Sequence, residues 1–441
     1  MNRWLLSFLG ILVIFSVTAS AQTDVKLTLA DAIRIGREQS HLLKASSAKA
    51  YGAEAKAREA KTLMLPAIKV DAAYRRLSDV PPFAVTLPFP GSSPIVISPM
   101  IPDNYQLHAG IQQPVFTGFR LWNNARAASL QAEAGEADVR NDEADLVVNI
   151  TTAYWMLYQA RAVKGALDEN VLRLESYERD TKNLVGAGIA TRNDLLRIQV
   201  QLQSARLSQI DAENDEQIAR MNLNIALGRA AVDSVDLAST PEGEDTTGVL
   251  VGTLEQSLST RPDVAAMQAR VEASRAGVAA AQGGYFPQLF LSANYYYGKP
   301  NQRYFPATNK WNDTWDVGVQ LQFDVWNWGA TAAQSAQAEA ALHANEELFA
   351  QMKQTVSLDV ERSKSSASRA REKVAVARLA VSQAGENAKM TSDKYHSGLA
   401  TSSELLDANV ALVQSKTALS AAYVEQEIAD VRLARSLGQI H

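Results

Sequence analysis

Val185-Gly-Ala-Gly-Ile-Ala-Thr191, with Asp194-Leu-Leu196 just beyond it, returns 210 positions later as Tyr395-His-Ser-Gly-Leu-Ala-Thr401 with Glu404-Leu-Leu406. Gly188 pairs with Gly398, Thr191 with Thr401 and Asp194 with Glu404, and Leu227-Gly228 answers Leu437-Gly438 at the same offset. Each copy of this glycine turn interrupts a long run of helix formers. A duplicated turn between long helices points to a built object, a tube or bundle, rather than to an enzyme cleft.

Proline marks the boundaries around the turns. None occurs from Val115 to Thr240 or from Ala307 to His441, while seven of the fourteen crowd into Pro81 to Pro102. The proline-free stretches are rich in Ala, Leu, Gln, Glu, Lys and Arg, which favour helix. Between Ala125 and Val185 only Gly135 and Gly165 weaken that preference, so a single helix of roughly 90 Å is expected there. Heptad spacing supports long paired helices: Ile150, Ala153, Leu157, Ala160, Leu167, Val171 and Leu174 keep an a/d pattern broken by Lys164. Leu405, Leu412, Leu419 and Leu433 keep a seven-residue period, with Ala408, Ser415, Ala422, Ala429 and Ser436 between them, small enough for close helix approach.

Four segments instead alternate with a period of two. Ile68, Val70, Ala72 and Tyr74 form one apolar row, Tyr105, Leu107, Ala109 and Ile111 a second, Leu289, Leu291, Ala293, Tyr295 and Tyr297 a third, and Val317, Val319, Leu321, Phe323 and Val325 a fourth. Polar residues, among them Lys69, Asp71, Gln106, His108, Asn294, Gln320 and Gln322, fill the opposite rows. About nine residues per strand, with Tyr74, Tyr105, Tyr297, Trp315, Trp326 and Trp328 near the ends, fits a transmembrane β-strand. A half-buried soluble sheet alternates in the same way. Four strands cannot close a membrane barrel, which takes about eight at least, and open edges in lipid are costly. The membrane reading therefore requires several chains, each giving four strands. The strands form two hairpins, joined by Ser78 to Asn104 and by Gly298 to Asp313, one in each repeat.

The bulk properties narrow the class. Arg3, the apolar stretch Leu5 to Val17 and Ala19-Ser20-Ala21 before Gln22 read as a signal peptide over 1–21, so the mature chain is expected to be exported from a bacterial cell. There is no cysteine, which excludes a disulfide framework and a lipid-modified N-terminal Cys. A net charge of −5 with mixed signs gives no electrostatic case for nucleic acid. Five scattered histidines form no metal-ligand spacing, and no nucleophile elbow, P-loop or H-E-x-x-H motif is present. No cofactor, metal or catalytic residue is expected. The first structural repeat spans 22–228, a polar linker 229–252 and the second repeat 253–441.

Arg261-Pro-Asp-Val264, then Ala265-Ala266, Val271, Ala273-Ser274, Ala279-Ala280-Ala281 and Tyr285-Phe-Pro-Gln-Leu289, resembles the second-repeat signature of the TolC-like outer membrane efflux protein family. Leu29-Ala-Asp-Ala-Ile33, Ser40-His-Leu42 and Leu65-Pro66 carry a degenerate first-repeat version, so the resemblance spans essentially the whole mature chain. It implies a mixed α and β membrane protein: a homotrimer whose twelve-stranded outer membrane β-barrel, four strands per chain, continues into a long periplasmic α-helical barrel. It also implies a passive exit duct for efflux or type I secretion, with a periplasmic adaptor protein and an inner membrane pump of the RND or ABC type as partners. The glycine turns would lie at the periplasmic tips. Glu404 and Asp407 would ring the pore entrance, and Asp194 with Tyr395 would form a latch holding it shut. Where well-known members carry an arginine two residues after the second-repeat glycine, this chain has Ala400, with Arg192 or Arg197 as substitutes.

Plainer readings stand beside these. Thr191 with Asp194 and Thr401 with Glu404 also fit capping boxes that satisfy orphan amides. Asp407 lies a turn deeper, where no cap needs an acid. Gly186, Gly188 and Gly398 allow positive φ at a helix end, and the small or apolar Ile189, Ala190, Leu399 and Ala400 beside them are expected to meet an adaptor's helical hairpin. The wet residues of the strands are expected to line a lumen without selecting a solute. Two other readings differ in class or cargo: a secreted coiled-coil adhesin, which leaves the paired strand hairpins unexplained, and a metal-exporting duct.

Overall fold

A computed structural model describes residues 26–238 and 252–440. The expected signal peptide and the middle of the expected linker lie outside the described residues. In chain order the elements are α1 (Leu29–Gln39), α2 (His41–Thr62), β1 (Ala67–Arg76), β2 (Phe83–Val85), β3 (Ile95–Ser98), β4 (Asp103–Thr117), α3 (Arg120–Gly186) and α4 (Arg192–Ala226). They continue as α5 (Leu254–Thr260), α6 (Pro262–Gln282), β5 (Gln288–Lys299), β6 (Asn312–Gln322), α7 (Ala330–His396) and α8 (Ser402–Ser436).

The repeat is kept residue for residue in the long helices. Helices α3 and α7 each have 67 residues and start at 120 and 330, while α4 and α8 each have 35 and start at 192 and 402. At about 1.5 Å per residue the longer pair reach roughly 100 Å. Their buried positions recur at the same offset: Leu146 with Val356, Ile150 with Val360, Leu157 with Ala367, Leu223 with Leu433 and Leu227 with Leu437. Helix α3 is gripped on two sides, by α2 and α4 on one and by α6 and α8 on the other, whereas α7 packs along one side only, on α6 and α8.

The chain is a ribbon four elements wide along its length. One antiparallel sheet runs β1-β4-β5-β6. Next to it α2 packs on α3, α3 on α6 and α6 on α7; toward the far tips α4 packs on α3, α3 on α8 and α8 on α7. The ends of α4 and α8 therefore abut the starts of α2 and α6. The glycines that end α4 and α8 make this junction possible. Gly228 has φ +73° and an added Cβ would stand 2.9 Å from the Gln39 carbonyl oxygen; Gly438 has φ +69° and its Cβ would stand 2.4 Å from Thr260 Oγ1. Only glycine supplies both the left-handed backbone and the missing atom.

At the α6 junction the sequence signature becomes a buried ion cluster. Arg261 clasps Asp263 with two bonds of 3.0 and 2.7 Å, reaches Asp359 on α7 at 2.8 Å, and donates to the Ser436 carbonyl of α8 at 3.3 Å. Arg435 joins from α8, bonding Asp145 on α3 at 2.7 Å. Burial opposes charge on both Arg261 and Asp263, yet their mutual bonds outweigh it, raising the arginine and lowering the aspartate from their ordinary values. Pro262 at the first helical position removes one orphan N–H from the start of α6, and the Val264 amide donates to Asp263 Oδ1 at 2.9 Å. In the first repeat Ser40 stands before α2 and caps it conventionally, accepting from the Leu43 amide.

Several sequence expectations are corrected. The proline-rich segment after β1 is not all loop: Phe83–Val85 and Ile95–Ser98 pair as a small antiparallel hairpin, hidden in the sequence by prolines on both sides. Strand β4 has 15 residues, running on past Pro114 through a bulge between Pro114 and Phe116, where the ladder does not need the missing N–H. Strand β6 stops at Gln322, so Phe323 and Val325 follow the sheet instead of extending it. Gly186 is the last residue of α3 and is not among the positive-φ residues; Gly188 and Gly398 are.

Candidate functional site: the helix tips and the two faces of the sheet

At the far end of the ribbon the two glycine turns adopt the same geometry. Gly188, at φ +74°, donates to the Val185 carbonyl at 3.1 Å while Ile189 donates to Leu184 at 2.9 Å. Gly398, at φ +73°, donates to Tyr395 at 3.0 Å while Leu399 donates to Lys394 at 2.8 Å. These paired bonds close the helices as Schellman caps. Capping boxes then open the next helices. The Asp194 amide donates to Thr191 Oγ1 at 3.2 Å and the Thr191 amide donates to Asp194 Oδ2 at 2.9 Å; Glu404 and Thr401 repeat this at 3.2 and 2.7 Å.

The copies differ in what else their acids hold. Asp194 Oδ1 accepts a 2.6 Å bond from Ser402 Oγ, linking α4 of the first repeat to α8 of the second. That bond, with those from Thr191, holds the Asp194 carboxyl below its ordinary value. Glu404 is lowered by the Thr401 amide and hydroxyl, both within its own cap. Asp407 is exposed and makes no hydrogen bond or ion pair among the described residues. Arg197 lies close enough to Asp194 for its charge to favour the carboxylate.

Tyr395 does not bond Asp194, the partner expected for it. Its hydroxyl lies 2.6 Å from Thr181 Oγ1, and its ring is buried among Val171, Leu174, Tyr177, Ile198, Leu202 and Leu405. Burial pushes the phenol up, with a smaller push from the nearby Asp194 charge. Both Asp194 oxygens are already taken by Thr191 and Ser402, and a buried hydroxyl needs a partner. One turn deeper, buried Asn409 on α8 donates to Asn170 on α3 at 2.6 Å, and Asn409 Oδ1 has no partner among the described residues. Ser402, Thr181, Asn170 and Asn409 were not singled out from the sequence. The only available signal was that each is a polar residue inside an otherwise apolar or small-residue helical face. Of the four residues flanking the tip glycines, Ile189 and Leu399 are bare to solvent, whereas Ala190 and Ala400 are half-buried and Ala400 packs on the tip core.

At the opposite end the sheet separates its residues by face. Ile68, Val70, Val317, Val319 and Leu321 share one face and are 67 to 74 % exposed. A half-buried soluble sheet covers its apolar face, and here that face is bare among the described residues, while His108, Asn294 and Asp316 on the other side are half-buried. Tyr74 lies tilted against Tyr105 at 4.9 Å and Tyr297 stacks on Trp311 at 4.9 Å, forming an aromatic cluster at the sheet end away from the helices. Trp326 and Trp328 lie at the helix end. This is where rings with one apolar and one wet side settle at a bilayer surface.

A bare apolar strand face bounded by aromatics, continued by helices of roughly 100 Å that end in glycine turns, defines a channel-forming membrane protein. The chain belongs to the outer membrane efflux protein family, whose profile matches residues 33–229 and 253–439. It is 25 % identical over 322 residues to the outer membrane efflux protein BepC of Brucella suis, covering 70 % of this chain and 68 % of that one. It is also 25 % identical over 346 residues to the alkaline protease secretion protein AprF of Pseudomonas aeruginosa, covering 75 and 69 %. Among solved structures the outer-membrane channel OprN superposes with a TM-score of 0.79 at 20 % identity, over 93 % of this chain and 89 % of that chain. VceC of Vibrio cholerae superposes at 0.77 and 18 % identity, over 93 and 96 %. The family places the protein in the outer membrane as an efflux channel, in a transport class and not an enzymatic one.

Proposed function

We propose that three copies of this chain assemble into a duct of twelve strands continued by a helical tunnel, serving as the passive exit of a tripartite efflux or type I secretion system. The observation that carries this reading is the sheet itself: four strands, both outer strands unpaired on one side among the described residues, and an apolar face that none of those residues covers. Unpaired strand edges in lipid cost several kcal/mol per group, so the edges must meet other copies. The helices repeat the condition. Leu196, Val200, Leu207 and Ile210 on α4 and Leu358, Val376 and Leu379 on α7 lie exposed on the two outermost helices of the ribbon. Joining copies edge to edge covers both rows at once.

The tips form the periplasmic entrance. Asp194, Tyr395, Glu404 and Asp407 stand at or beside the constriction, with Asp194 and Tyr395 each holding a bond between repeats and Asp407 free to face the pore. Gly188, Ile189, Ala190, Gly398, Leu399 and Ala400 form the surface that meets the adaptor, Ile189 and Leu399 as its apolar contacts. The inner membrane pump supplies the energy. Relatives named for alkaline protease secretion and for toluene efflux match at similar identity, so the shared feature is the conduit and not the cargo. Purification from outer membranes should yield a heat-modifiable particle of three chains that conducts ions in planar bilayers. A soluble monomer without conductance overturns the reading.

A further inference from the structure

The wet face of the sheet carries a hydrogen-bonded belt that crosses all four strands. Asp71 Oδ2 on β1 lies 3.2 Å from His108 Nδ1 on β4, and His108 Nε2 lies 3.1 Å from Asn294 Oδ1 on β5. Asn294 Nδ2 donates to Asp316 Oδ1 on β6 at 2.8 Å, and Arg303 from the loop between β5 and β6 closes the row on Asp316 Oδ2 at 2.5 Å. The His108 ring stacks on Tyr296 at 4.6 Å, and the Arg303 guanidinium lies over the same ring at 4.5 Å. Gly110 makes room for the row, since a Cβ there would stand 2.9 Å from Asn294 Oδ1 and 3.1 Å from the imidazole.

Donors and acceptors in this row can be assigned from chemistry alone. Carboxylates only accept, so Asp316 requires the Asn294 amide nitrogen and thereby turns the Asn294 oxygen toward His108. Asp71 likewise presents an acceptor to the other ring nitrogen. A neutral imidazole has one donor, so one nitrogen would face an acceptor with its lone pair. Only the imidazolium satisfies both ends.

We propose that His108 is the charge-setting residue of the barrel lumen: the belt closes fully only when the ring holds both protons, and proton binding there shifts the channel away from cations. The inference rests on the duct reading for its placement in a lumen, where three copies present three such rings. Lys69, one pair along β1 on the same face, and Asp71, Tyr296, Asp316 and Arg303 are the other titratable groups around it.

The test is the reversal potential of the purified protein in a planar bilayer under a salt gradient, read from about pH 5 to about pH 8, which brackets histidine chemistry in general. The parent should become more cation-selective as pH rises, and His108→Gln should lose that change while keeping every other charge. In Asp316→Asn, the Asn294 amide can turn and donate to a neutral ring, so the belt no longer calls for the second proton and the pH response should shrink. An undiminished pH response in either variant overturns the proposal. Ring-nitrogen NMR of histidine-labelled protein in detergent, with His108→Gln as the assignment control, reads the same proton directly. A ring that stays singly protonated down to about pH 5 overturns it as well. A parent that never conducts overturns the duct reading, and the ring-nitrogen spectrum still decides the proton linkage.

Discussion

The bond from Ser402 to Asp194 is a charge-assisted contact between two repeats at the tips of the long helices, and such bonds contribute about 1.5 to 3 kcal/mol. Ser402→Ala leaves both capping boxes intact and removes only this link, so the open probability of the reconstituted channel should rise about tenfold. Parent-like gating would remove Asp194 from the gate. The pH dependence follows from the lowered Asp194 carboxyl: the link is fully present above the ordinary aspartate value of 3.8 and is lost only as pH falls through the lowered one. The Asp194 link should therefore contribute no pH dependence to gating between about pH 5 and pH 8. Asp194 was visible in the sequence because the repeat offset and the T-x-x-D spacing both mark it. Its partner was not, since Ser402 aligns with Arg192 in the repeat and only packing brings it across. Tyr395 fails for the same reason: a buried tyrosine takes whichever polar atom the opposing helix offers, and α3 offers Thr181.

Among the elements, the long helices were legible because their period is local, whereas the seams between them were not. Ile150 and Leu157 announce a buried face, but nothing in their spacing says that α3 is held by α2 and α6 at one end and by α4 and α8 at the other. The hairpin of β2 and β3 was hidden by prolines, and the end of β6 was overrun because Phe323 and Val325 continue the alternation past the last paired residue. Two seams invite measurement. Arg261→Ala leaves the mostly buried Asp263 with only Arg435 at 3.8 Å as a charged partner and should cost about 3 kcal/mol, read as a lower thermal midpoint of the detergent-solubilised particle. An unchanged midpoint would mean that the cluster is not a clamp. Asn170 and Asn409 form the opposite case, a buried polar pair with one oxygen left over among the described residues. Replacing both with leucine should raise the midpoint and lower the open probability, because an unsatisfied buried group costs about 1 to 3 kcal/mol. A lower midpoint would show that the leftover oxygen has a partner in the assembled particle.

For the whole molecule, the decisive asymmetry is that alternation in the strands looks the same for a soluble sheet and a membrane strand, and only the covering of each face separates them. The sequence could place Val317 and Gln320 on opposite faces; it could not say which face would be bare. In the structure Val317 is 72 % exposed near the middle of β6, on the side that the proposal gives to lipid, while Gln320 shares the face of Asp316. Lysine at a lipid-facing strand position near the bilayer midplane costs about 2 to 4 kcal/mol, and lumen positions tolerate charge. Val317→Lys should therefore sharply reduce the yield of heat-modifiable trimer in the outer membrane, the more so because the cost is repeated in every copy. Gln320→Lys should assemble as the parent does and lower cation permeability. On a sheet facing water the ranking inverts, since a lysine replacing a solvent-exposed valine would be neutral or improve solubility. Equal assembly of the two variants would thus put water, not lipid, against the apolar face and reject the barrel, whatever the fold resemblance.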